Sequence, residues 1–70
     1  MFTRHRFEQE LLTKLDRLWT QGTNGRKSYN LALGRARKVL EARGYSTIEA
    51  SYVVEDIRNI HGLIILSREG

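Results

Sequence analysis

Arg43-Gly-Tyr-Ser-Thr-Ile-Glu-Ala50 holds the end of one helix and the start of the next. Ser46-Thr47-Ile48-Glu49 has the form of a capping box, in which a Ser hydroxyl and a Glu carboxylate each satisfy a backbone N–H left free at a helix start. Tyr45 and Ala50 stand at the two positions of a hydrophobic staple around it. Just upstream, Gly44 sits where a helix C-terminus calls for a left-handed residue, and Lys38 and Arg43 lie toward that negative helix end. The second half of the chain is therefore two helices joined by a tight turn.

Working outward, Tyr29, Ala32, Leu33, Ala36, Val39 and Leu40 share one face of the preceding helix. Gly22-Thr-Asn-Gly25 reads as the turn before it, with glycines for positive φ and Asn24 or Ser28 as the cap. Further upstream, Phe7, Leu11, Leu12, Leu15, Leu18 and Trp19 fall within about 140° of arc at 100° per residue, a stripe wide enough to meet two neighbours. After the capping box, Ala50, Val53, Val54, Ile57 and Ile60 form a core face up to Gly62. Leu63-Ile64-Ile65-Leu66 is β-prone and continuously apolar. It reads as a short strand or, if Gly62 is tolerated at about 1 kcal/mol, as a continuation of the third helix. The expected fold is all-α, one three-helix domain over residues 1–70, with helices at about 5–21, 26–43 and 47–61 and a tail at 63–67.

A chain of 70 residues buries only about 60% of the surface its unfolded form exposes. With zero Cys no disulfide reinforces that thin core, which makes a second subunit an attractive remedy. A homodimer through the tail and the Ile48/Tyr52 face is the expectation. Absence of Cys fits a reducing compartment, and no apolar segment reaches the roughly 20 residues of a membrane span or resembles a secretory signal, so a cytoplasmic protein is expected.

Charge is unevenly distributed. Residues 21–45 hold six Lys or Arg and one acidic residue; residues 46–70 hold two and four. A polarised surface of this kind favours an anionic partner. The expected function is a small non-enzymatic regulatory protein that binds nucleic acid through Arg26, Lys27, Arg35, Arg37 and Lys38. If all five neutralised phosphates, log K against log salt would fall with a slope of about −4 to −5. Few aromatics accompany these charges, so base stacking and single-strand preference are not implied. The alternative is a protein-binding adaptor or inhibitor, or a binder of an acidic protein, whose anchors are Leu31, Ile48, Tyr52, Leu63 and Ile65.

Other chemistries find no support in the residues. Gly25-Arg-Lys-Ser28 ends like a phosphate-binding loop, but Gln21 and Arg26 occupy its two glycine positions and a helix precedes it where a strand is required. His5 and His61 have no metal-ligand spacing around them, and Ser51, Asp56 and His61 point in different directions from one helix. No cofactor is implied. The turn at Gly44 resembles a helix-turn-helix, yet Glu49, Glu55 and Asp56 would repel phosphates from its recognition helix. Arg43 to Ala50 also resembles the Gly-Tyr/Phe-Ser-x-x-Glu-Ala turn of small three-helix ubiquitin-associated-like domains, over eight residues; no binding residue follows from that likeness.

Overall fold

The computed structural model describes residues 2–69, the side chains of Thr23 and Asn24 excepted. Three helices, α1 (Arg4–Trp19), α2 (Thr23–Ala42) and α3 (Thr47–Glu69), each pack against the other two. The long axis of the bundle, 37 Å, is close to the length of α3, which at 1.5 Å per residue is about 34 Å.

The α2–α3 corner forms by the chemistry read from the sequence. Gly44 takes φ +100°, its N–H donates to Glu41 O at 3.0 Å, and the Tyr45 N–H donates to Leu40 O at 3.1 Å. That pair of bonds is a Schellman motif. One turn later the capping box closes, with the Glu49 N–H donating to Ser46 Oγ at 3.1 Å and the Ser46 N–H to Glu49 Oε1 at 3.2 Å.

The α1–α2 corner is tighter than expected. Helix α2 begins at Thr23, not after Asn24 or Ser28, and only Gly22 has positive φ, +79°. The capping role read for the Asn24 side chain lies outside the described residues. Gly25 is helical and buried, and a Cβ there would run into the Leu18 backbone carbonyl. Its function is close approach of two helices, not turn formation.

The tail is helical. α3 runs through Gly62 to Glu69, so Leu63 to Leu66 form no strand. With no neighbouring strand to pair with, the segment satisfies its backbone within the helix, and this offsets the modest cost of one glycine.

Leu11, Leu15, Tyr29, Ala32, Ala36, Leu40, Ala50, Val53, Val54 and Ile57 make the core, with Phe7, Leu12, Leu18, Trp19, Leu33 and Tyr45 half-buried around it. Two expected core residues are exposed instead, Val39 and Ile60. On α3 the inward place belongs to His61. Spacings of four, three and four residues, Ala50-Val54-Ile57-His61, keep to one side of a helix, whereas Ile60 turns away from it.

Candidate nucleic-acid interface

α2 carries five Lys or Arg and one acidic residue, Glu41. Arg26, Lys27, Arg35, Arg37 and Lys38 are all exposed. Among the described residues none of the five forms an ion pair, whereas Arg4, Arg6, Arg58 and Arg68 on the other helices do. The positive charge of α2 is thus left open to solvent.

The five do not form a single ridge. At 100° per residue, Arg26, Lys27, Arg37 and Lys38 share about 120° of arc, and Arg35 lies about 180° from Arg26. Arg35 lines the α1–α2 groove beside Glu10 and Lys14. On the opposite edge two adjoining clefts run between α2 and α3. One, of about 290 Å³, is lined by Trp19, Arg26, Asn30 and Arg58; the next, of about 300 Å³, by Asn30, Gly34, Arg37 and Arg58. Arg58 thus joins Arg26 and Arg37 along one groove. Counting charge by segment hid it, because Arg58 belongs to the acidic third of the sequence. Arg26 is further anchored, its guanidinium 4.8 Å from the centroid of the Trp19 ring, a cation–π contact.

Of the expected protein-contact residues, Leu31, Ile48, Tyr52 and Leu63 are exposed, by 60 to 69%. Ile65 is not available in the same way. It is half-buried and lines the Trp19 cleft, because it lies about 100° round α3 from Ile48, toward α1 and α2.

Beneath the clefts lies a polar chain that sequence spacing did not reveal. His61 is fully buried, with Nδ1 2.9 Å from the Tyr29 hydroxyl and Nε2 3.2 Å from Asp16 Oδ1. Arg68 clamps both oxygens of Asp16, at 2.6 and 2.8 Å. A carboxylate can only accept, so Nε2 of His61 donates to Asp16, and in the neutral tautomer that follows Nδ1 accepts from the Tyr29 hydroxyl. Burial pushes the Tyr29 phenol up, against the opposing charge of Arg58, so Tyr29 keeps the proton it donates. The Arg68 clamp, then the His61 bond, draws the Asp16 carboxyl down to about 2. Trp19 packs edge-on against both Tyr29 and His61. The chain joins all three helices, and no buried side-chain polar atom among the described residues lacks a partner. Tyr29 and His61 are buried, and the chain forms a polar layer of the core beneath the Trp19 cleft.

Among the described residues no group of three His, Cys, Asp or Glu could hold a metal ion, and no helix is long and apolar enough to cross a membrane. Comparisons with protein-family models, curated proteins and solved structures gave no match.

Proposed function

We propose that this chain is a small non-enzymatic regulatory protein that binds nucleic acid through the outer surface of α2. The observation that carries the reading is the freedom of its cations. Among the described residues Arg26, Lys27, Arg35, Arg37 and Lys38 are exposed and form no ion pair, while Arg4, Arg6, Arg58 and Arg68 on the other helices are paired with Asp or Glu. Unpaired cations release the counterions of a phosphate backbone without first breaking an internal bridge.

The arrangement narrows the set that engages one duplex face. Arg26, Lys27, Arg37 and Lys38 face one side and Arg35 does not. Four contacts give a slope of log K against log salt of about −3.6 for double-stranded DNA, shallower than five would give. Fluorescence anisotropy of a labelled duplex across a salt series measures it. A flat salt dependence, or no binding at low salt, overturns the reading.

A protein-binding module is the second reading, supported by the exposure of Ile48 and Tyr52, 68 and 69%. Under it Tyr52→Ala abolishes partner capture and leaves polyanion affinity intact. Under the first reading the paired change Arg37→Ala with Lys38→Ala reduces the salt slope by about 2 and Tyr52→Ala does nothing to it.

A further inference from the structure

α3 is apolar on two opposite sides. The inner side closes the bundle; the outer side presents Ile48, Tyr52, Leu63 and Leu66, each about two-thirds exposed. Ile48, Tyr52, Glu55, Asn59, Gly62 and Leu66 are spaced alternately four and three residues apart, the spacing of a seam along which two helices pair. Its bulky apolar residues stand at both ends and its polar residues in the middle.

We propose that α3 pairs antiparallel with α3 of a second copy of this chain, about a two-fold axis on the outer face midway between Glu55 and Asn59. In that register Ile48 lies against the partner's Leu66, Tyr52 against the partner's Gly62, and Glu55 against the partner's Asn59. Each layer is complementary and each occurs twice, as a two-fold interface requires. Gly62 has open space where a Cβ would stand, so it can receive the Tyr52 ring. The Asn59 amide donates to the Glu55 carboxylate. Arg58, held only loosely by its own Glu55 at 3.8 Å, stands beside the same layer and adds positive charge to it.

A parallel pair would be frustrated. It would set Glu55 against Glu55 in the middle of the seam, a like-charge contact with no apolar compensation. It would also align the two helix dipoles, which the antiparallel arrangement opposes. The stripe is roughly 27 Å long and carries only four bulky apolar residues, so the pairing is expected to depend on concentration. The outer face of α2 is left free in both copies.

Because the chain has zero Cys, single introduced cysteines report the register. Sedimentation equilibrium from about 5 to 500 μM should show the mass rising from one chain toward two, and Leu66→Glu should hold it at one. Under mild oxidation, a mixture of Ile48→Cys and Leu66→Cys proteins should form mixed disulfides about tenfold faster than either variant forms its own. Both positions are exposed, and unchanged far-UV circular dichroism verifies that the variants fold. A one-chain mass across the range overturns the proposal, as does faster self-linking of either variant, which marks parallel pairing.

Discussion

Tyr29 and His61 show how much one hydrogen bond constrains a core this thin. Tyr29→Phe keeps the ring and its packing on Trp19 but leaves the buried Nδ1 of His61 without its donor. An unsatisfied buried acceptor costs about 1–3 kcal/mol, and the urea midpoint should fall accordingly. An unchanged midpoint would mean that another donor takes the place of the phenol. Asp16 adds a pH dependence. Its carboxyl titrates at about 2 in the folded state against 3.8 ordinarily, so its ionised form stabilises the fold above pH 4 and that contribution is lost as pH falls toward 2. Arg68→Gln removes the first cause of this depression. Acid unfolding of the variant, followed by circular dichroism, should therefore begin from a lower stability at neutral pH and depend less on pH between 4 and 2.

Glycines distinguish the elements. Gly25 is buried against the Leu18 carbonyl, so Gly25→Ala forces α1 and α2 apart and should destabilise by about 1–3 kcal/mol. Gly34 and Gly62 have nothing near the position of a Cβ. Gly34→Ala should instead stabilise by about 0.5–1 kcal/mol through helix propensity alone, and a pair of thermal melts settles both signs. The same contrast explains what could be read from the sequence. Gly44 and the Ser46–Glu49 box act on backbone groups within a few residues of themselves, so their local chemistry was enough to place the α2–α3 corner. Gly25 acts on a backbone carbonyl of a different helix, and its dipeptide context resembles that of a turn glycine. His61 sits at core spacing after Ile57, but its partners are 32 and 45 residues away along the chain, where no local pattern reaches. The tail stayed open between strand and helical extension for a related reason: apolar runs are ambiguous between strand and helix until a pairing neighbour is known.

At the scale of the whole molecule the three helices divide the charge among them. α2 is strongly basic, α3 carries four acidic residues against two Arg, and α1 is nearly balanced and pairs its charges internally along its surface through Arg4–Glu8 and Arg6–Glu10. Exposed bridges of this kind contribute little to stability, so their presence on α1 and absence from α2 matters chiefly for which surface attracts anions. Under the proposed reading, a four-cation face also orients the approach of a duplex. Arg26 is held over Trp19, whereas among the described residues no hydrogen bond, ion pair or cation–π contact holds Lys27, Arg37 or Lys38. Arg26 is therefore positioned before binding and the other three are not. Exchanging Arg26 for Lys keeps the charge and so the salt slope, but loses the planar contact with Trp19. Affinity at fixed salt should fall about two- to fivefold, within the range of a cation–π or charge-assisted contact. Exchanging Lys27 or Lys38 for Arg should leave affinity unchanged or slightly raised. Equal losses at all these positions would mean that charge alone, with no fixed geometry, governs binding.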